Sequence, residues 1–223
     1  MLPIPTPAGF RIIAHRGASG YAPENTCAAF DLARRMGVTE IELDLRLSKD
    51  RQLVLCHDES LDRYGHRGLR VADLTYDDLL RLDMGSWFSP FLYRGERILK
   101  LEQLFSEFGS LFMYHLEIKG GGEETLRRLL DTLDAFRFRH KIIITCFDEN
   151  ILDRSGEIAP GIPRGWLLRK DCFSKESINR AAEAVYAQIC PRAADIDRAQ
   201  VQLAKSHQLE VRAHSVNTRE DIE

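Results

Sequence analysis

Long apolar runs are missing from this chain: no stretch of its 223 residues approaches the roughly 18 consecutive apolar positions that a membrane-spanning helix needs. A basic excess is missing too. Lys and Arg number 31 against 34 Asp and Glu, for a net charge of −3, so the footprint that nucleic-acid partners usually leave is not there. Cysteine is sparse and scattered: Cys27, Cys56, Cys146, Cys172 and Cys190 are an odd number, with no CxxC among them. That usage fits buried, reduced thiols in a cytosolic protein. The Pro-rich start, Met1 to Phe10, lacks a basic segment followed by an apolar one, so no export signal is visible. The expectation is a cytoplasmic chain with no membrane span and no nucleic-acid partner.

What is present is an ordinary globular composition, 44% apolar and 29% charged, in a length that suits one large α/β domain over residues 1–223 or at most two small ones. The chain is organised around residues 40–58. Glu40-Ile41-Glu42-Leu43-Asp44-Leu45-Arg46-Leu47 alternates polar and apolar side chains, breaks at Ser48 to Arg51, and resumes as Gln52-Leu53-Val54-Leu55-Cys56-His57-Asp58. That pattern predicts an antiparallel hairpin. A turn centred near Asp50 makes the numbers of cross-strand partners sum to about 100, which sets Asp44 opposite Cys56 and returns His57 to the level of the carboxylates. Period 2 puts Glu42, Asp44 and Arg46 on one face of the first strand.

Around the hairpin, Arg11 to Gly17 reads as a strand ending in His-Arg-Gly, and Thr26 as the cap of a helix with Ala29, Phe30, Ala33 and Met36 on its buried side. Residues 59–100 read as a small inserted subdomain with one clear helix, opened by Thr75 and Asp78. Its aromatic residues Trp87, Phe88, Phe91 and Tyr93 either fold over something or form the insertion's own core. After it, strands near residues 113, 143, 167, 188 and 211 alternate with helices, and one more helix opens at Thr218. With those near 12 and 42 they make seven parallel strands. Such alternation predicts a parallel sheet with helices outside. A TIM (β/α)8-type barrel suits the polar residues better than a doubly wound sheet, because the strand ends carry His15-Arg16, Glu42 and Asp44, Glu117 and Lys119, Asp148, and His214. An eighth strand at the C-terminus is lacking from the pattern, which leaves the barrel open between its first and last strands.

Glu42, Asp44 and Glu117 would repel one another in one space without a cation. Oxygen-only ligands suit Mg²⁺ or Ca²⁺; the alternative is a structural ion network with Arg16, Arg46 and Lys119. His15 and His57 at the same level could act as general acid and base, with His115 as a third imidazole if it points inward as Glu117 does. Arg16 and Lys119 make a cradle for one phosphate. The residues by themselves thus reach metal-assisted phosphoryl transfer or hydrolysis.

Taken together, His15-Arg16-Gly17, Pro23-Glu24-Asn25-Thr26, Glu42-x-Asp44, Lys49-Asp50, His57-Asp58, Leu82-Asp83-x-Gly85-x-Trp87-Phe88 and Leu116-Glu117-Ile118-Lys119 resemble the glycerophosphodiester phosphodiesterase family of bacterial cytoplasmic type. The resemblance implies a TIM barrel whose inserted subdomain is segment 59–100. It implies Glu42, Asp44 and Glu117 as ligands of Mg²⁺ or Ca²⁺, His15 and His57 as acid and base, and Arg16 and Lys119 on the phosphate; His214 is a further substrate-binding candidate. The implied reaction cleaves a small-molecule glycerophosphodiester to glycerol 3-phosphate and an alcohol. This chain departs from the family pattern at Ala213-His214-Ser215-Val216-Asn217, where a Trp is usual, and at Tyr114-His115, and both bear on substrate preference. The pattern also stops before an eighth strand, so the chain is either truncated or completed by a partner, and open sheet edges favour a homo-oligomer. The alternatives are a phospholipase D-like lyase on lysophospholipids, favoured by an exposed apolar rim, and a non-catalytic phosphate-binding barrel.

Overall fold

The structure is a computed structural model that describes residues 10–218 and 221. The chain divides into two compact units, Met1–Ile142 and Ile143–Glu223. The first contains β1 (Ile13–His15), α1 (Cys27–Arg35), β2 (Glu40–Leu47), β3 (Leu53–Leu55), α2 (Tyr76–Leu79), α3 (Leu101–Phe108), β4 (Met113–Ile118) and α4 (Gly122–Phe136). In it β2 is flanked by β1 and β4, both parallel to it. The hairpin forms in the expected register, with Leu45 opposite Leu55 and Leu47 opposite Leu53. Its turn closes by Ser48 N–H donating to Gln52 O, with Arg51 in the left-handed region at φ 62°.

Both faces of β2 are buried. Ile41, Leu43 and Leu45 are fully covered, as alternation demands, but Glu40, Glu42 and Asp44 are at most 5% exposed as well. A strand buried on both sides is the hallmark of a sheet with helices outside. The polar positions are therefore interior, which sets up the chemistry below.

Thr26 caps α1 by accepting from Ala29 N–H. Thr75 caps α2 by accepting from Asp78 N–H, and the helix is one turn long, ending sooner than the Asp77 to Leu82 pattern suggests. Segment 59–100 builds its core on β3: Val54 and Cys56 pack with Leu61, Tyr64, Val71, Tyr76, Leu79, Met84 and Ile98. Of the four aromatic residues at 87–93, Trp87 stacks edge-on between Tyr64 and Phe88, and Phe88 meets Tyr93 the same way. Phe91 is 94% exposed and belongs to no core.

The turn that presents Phe91 is held by one carboxylate. Asp83 accepts from Gly85 N–H, Ser86 N–H, Ser86 Oγ–H and Gly95 N–H, and Gly85 is required because a Cβ there would stand 1.9 Å from Tyr93 O. Burial works against the Asp83 charge, but these donors outweigh it and hold the group well below the carboxylate range. A depressed folded-state pKa contributes stability that is present above the ordinary value of about 4 and is lost as pH falls below it. Asp83→Ala is expected to cost about 1–2 kcal/mol near neutral pH, a loss typical of a removed cap, and to expose Arg94 and Arg97 to trypsin. Urea denaturation at pH 7 and pH 3 checks this: equal differences between wild type and variant at both pH values would contradict it.

The second unit carries β5 (Ile142–Cys146), α5 (Glu149–Ile158), β6 (Arg164–Leu167), α6 (Lys175–Glu183), β7 (Gln188–Cys190), α7 (Arg198–Ser206) and β8 (Glu210–Val211). In it β6 pairs in parallel with β5 and β7, and β7 with β8. The last strand, expected near residue 211, is two residues long. Arg212 N–H still donates to Ile189 O, but only a single bridge, Arg192 with His214, continues the pairing. Asp148, at the end of β5, caps α5 through Asn150 N–H. The helix expected to open at Thr218 lies outside the described residues.

Candidate active site

The site lies in the first unit, and β2 positions it. Arg16 N–H donates to Glu42 O at 2.9 Å, and Cys56 N–H donates to Asp44 O at 3.0 Å. The chain that follows β1 and the chain that follows β3 thus bond to carbonyls two residues apart on one strand. His15 and His57 arrive at the same level for that reason. After His15 the backbone turns sharply: Arg16 has φ 58° and Gly17 φ 79°, and a Cβ on Gly17 would stand 2.8 Å from Ala29, so the turn onto α1 admits no side chain.

On the other side, Asp44 lies opposite Glu117 and Glu42 opposite His115 in the β2–β4 register. Glu42, Asp44 and Glu117 are all buried, and each offers an oxygen within 4.8 Å of the others. Asp44 is the centre of the cluster. Its Oδ2 meets Arg16 Nε at 3.1 Å and accepts from Asn25 Nδ2 at 2.8 Å; its Oδ1 accepts no hydrogen bond and has Lys119 Nζ at 3.4 Å. Burial opposes the Asp44 charge, but Arg16 and Lys119 hold its carboxyl below the usual range. For Glu117 the balance tips the other way: burial pushes it up despite Lys119 at 2.7 Å.

These residues fit a hard divalent cation. The donors are carboxylate oxygens alone, and one buried oxygen of the central ligand lacks a hydrogen bond. Charge balance agrees. Three carboxylates against Arg16 and Lys119 leave one negative charge; a divalent ion reverses it to one positive, which a phosphodiester monoanion neutralises.

His57 Nδ1 lies 2.6 Å from Asp58 Oδ1. In the neutral ring this assigns the proton to Nδ1 and leaves Nε2 unprotonated. Burial lowers the His57 pKa, Asp44 opposes that shift, and Lys119 and Arg16 add to it. Arg46 Nε and Nη2 both donate to His57 O, at 3.0 and 2.8 Å. Arg46 therefore faces the site as its position on β2 predicts, but it holds the backbone of His57 and pairs with none of the three carboxylates. His15 is more open, its side chain 62% exposed, with Nε2 3.8 Å from Glu42 Oε2.

Further residues complete the site, and the sequence had assigned them no role. Glu24 joins Arg16 at 2.9 Å to Arg63 and to Tyr64 Oη–H, and Arg63 Nε reaches Asp58 Oδ2 at 2.8 Å. A continuous ionic chain runs from Arg16 through Glu24, Arg63 and Asp58 to His57. Glu24, Asn25 and Asp58 stand inside the motifs noted above, but nothing local distinguishes a carboxylate that orients an imidazole from one in solvent. His115 does share the face of Glu117, one layer deeper: its Nε2 lies 2.9 Å from Glu40 Oε2, which leaves it outside the catalytic group. His66, in segment 59–100, is half-buried with Nε2 2.9 Å from Asp83 O. His214 belongs to the second unit, where its Nε2 lies 3.0 Å from Leu168 O and its ring stands edge-on to Phe147.

Residues 15–223 match the family model of the glycerophosphoryl diester phosphodiesterase family. The Bacillus subtilis protein YhdW is 43% identical over 163 residues, 71% of this chain and 65% of its own length, so the chain spans just under two thirds of that relative. A glycerophosphodiester phosphodiesterase of the same organism is 30% identical over 230 residues, covering 94% of this chain and 78% of the relative. Among solved structures, an Oleispira antarctica phosphodiesterase in complex with the product sn-glycerol-3-phosphate superposes with a TM-score of 0.84 at 28% identity, over 96% of this chain and 87% of that one. With that fold and that match along nearly its whole length, this chain belongs to the glycerophosphoryl diester phosphodiesterase family, TIM-barrel enzymes that hydrolyse phosphodiester bonds.

Proposed function

We propose that this chain is a divalent-cation-dependent phosphodiesterase that cleaves glycerophosphodiesters, such as glycerophosphocholine and glycerophosphoethanolamine, to glycerol 3-phosphate and an alcohol. The observation that carries the reading is the convergence of His15, His57, Arg16 and Lys119 on the buried Glu42, Asp44 and Glu117 cluster. Bound there, Mg²⁺ or Ca²⁺ would supply electrostatic stabilisation of charge on the non-bridging phosphate oxygens. Arg16 and Lys119 orient the phosphate. One histidine takes the proton of the glycerol 2-hydroxyl as it attacks phosphorus, and the other protonates the leaving alcohol; the roles reverse when water opens the cyclic phosphate. Asp58 keeps His57 in the productive tautomer, and Arg46 fixes its backbone. The burial of Cys56, Cys146 and Cys190 suits thiols at work in the cytoplasm, although Cys172 is exposed.

The test is glycerol 3-phosphate release from glycerophosphocholine with and without EDTA. Release that chelation abolishes and Mg²⁺ or Ca²⁺ restores is the expected result. A measurable activity indifferent to EDTA and to His15→Ala and His57→Ala would sink the mechanism, and no activity from the folded chain would favour a phosphate-binding protein.

One observation favours a second reading, a phospholipase D-like activity on lysophospholipids. Phe91 and Leu92 are 94% and 78% exposed at the tip of the insertion, and Tyr21 is 57% exposed on the loop that follows His15 and Arg16. Tyr93 Oη–H donates to Tyr21 O at 2.8 Å, tying tip and loop into one apolar rim. Phe91→Asp with Leu92→Asp is expected to reduce choline release from lysophosphatidylcholine at least tenfold while leaving glycerophosphocholine turnover within twofold, since fully burying two such side chains against an acyl chain is worth about 3–6 kcal/mol. Equal effects on both substrates would discard the second reading.

A further inference from the structure

A cavity of about 390 Å³ adjoins the catalytic cluster, and Lys119 is a wall common to both. We propose that this cavity is a subsite for an anionic group, a carboxylate or a second phosphate, on the alcohol half of the diester; the inference rests on the proposed activity and names the substrate class within it. Its charged lining is Arg46, Lys49, Arg51, Lys119 and Glu59. Three of these five are already matched: Arg51 by Glu124, Glu59 by Arg70, and Lys119 by Asp44 and Glu117. The remaining two are cations. Among the described residues, neither the Arg46 guanidinium nor the Lys49 ammonium has a carboxylate within ion-pairing distance, and the hydrogen bonds of Arg46 go to the neutral carbonyl of His57. Arg46 is half-buried, so its charge is incompletely solvated and gains from an anion more than a surface arginine does.

Gly120 lines the cavity, and a Cβ there would stand 3.5 Å from Arg46 Nη1. The fold also links the cavity to the reacting centre, because Lys119 touches Asp44 and Glu117 while Arg46 holds the backbone of His57. A substrate with its phosphate on Lys119 thus presents its neighbouring alcohol to Arg46 and Lys49. Choline offers that pair of cations only a like charge.

Glycerophosphoserine and glycerophosphoethanolamine differ by one carboxylate and serve as the test pair. Expected for the native chain is a kcat/KM about five- to tenfold higher for glycerophosphoserine, expressed in KM, and a matching preference in Kd for O-phosphoserine over O-phosphoethanolamine by calorimetry. Lys49 is exposed and outside the catalytic machinery, so Lys49→Glu should erase both preferences and leave glycerophosphoethanolamine turnover unchanged, with Lys49→Ala intermediate. Equal constants for the two substrates in the native chain, or a preference that survives Lys49→Glu, overturns the subsite. A Kd preference without turnover of either diester overturns the catalytic reading and leaves the subsite standing; neither turnover nor preference overturns both.

Discussion

His57→Ala lowers kcat/KM on glycerophosphocholine by about 10² to 10⁴, the range for removing a positioned general acid or base, and leaves the fold intact. The side chain is 29% exposed at the rim of the cluster, so its loss opens no large cavity. A subtler result follows from Asp58. Its hydrogen bond to His57 raises the imidazole pKa against the dominant effect of burial, which lowers it. Asp58→Asn removes the charged acceptor, so the limb of the pH–rate profile that belongs to His57 moves to lower pH. The rate falls by about tenfold, because the tautomer is no longer enforced. A limb that moves to higher pH, or a His57→Ala enzyme within threefold of the native rate, contradicts the assignment. Arg63 sits behind Asp58, so segment 59–100 contributes a side chain to the ionic chain that ends at His57.

The second large effect separates stability from activity within the acidic cluster. Asp44→Asn breaks the buried pair with Arg16, which keeps Glu24 as its remaining carboxylate, at a cost of about 1.5–3 kcal/mol, the range for a lost charge-assisted hydrogen bond. Glu117→Gln should cost little in a chelator, about 1 kcal/mol or less. Burial already pushes the Glu117 pKa up, so in the cation-free protein its charge is carried at a penalty that glutamine relieves. Both changes should weaken Mg²⁺ or Ca²⁺ binding by at least tenfold and lower activity by at least a hundredfold, since each removes an anionic ligand. Urea denaturation in EDTA, set beside calorimetric titration of the cation, measures the two effects separately. The reading fails if Glu117→Gln destabilises the protein as much as Asp44→Asn, or if either variant keeps native cation affinity.

The two variants differ in stability for a reason that composition does not contain. Asp44 and Glu117 are both acids on alternating strands, equally legible as candidate ligands. Asp44 has Arg16 and Asn25 on one oxygen, brought by the turn after β1, whereas Glu117 has Lys119 on its own strand. Which carboxylate is supported and which is strained depends on where the loop after β1, 19 to 28 residues before Asp44, places its side chains.

Local rules were sufficient for much of this protein. Period-2 alternation and a polar turn specify the β2–β3 hairpin and its register, because a slip by one residue would move Glu42 and Asp44 onto the apolar face that Ile41, Leu43 and Leu45 occupy. The α/β alternation specifies seven parallel strands among the described residues, and chain order along β2 brings His15 and His57 together. The motifs alone singled out His15, His57, Glu42, Asp44, Glu117, Arg16 and Lys119, the residues to which the proposed mechanism gives its roles. Tertiary structure decided the rest: that His115 belongs to Glu40, that Arg46 serves the backbone of His57, that Glu24 and Asp58 link Arg63 to both sides of the site, and that Phe91 and Leu92 stand in solvent. Each of these is a question of which long-range partner a polar or aromatic group finds. Burial makes that choice obligatory, because a buried charge or donor left alone costs more than any local preference can supply.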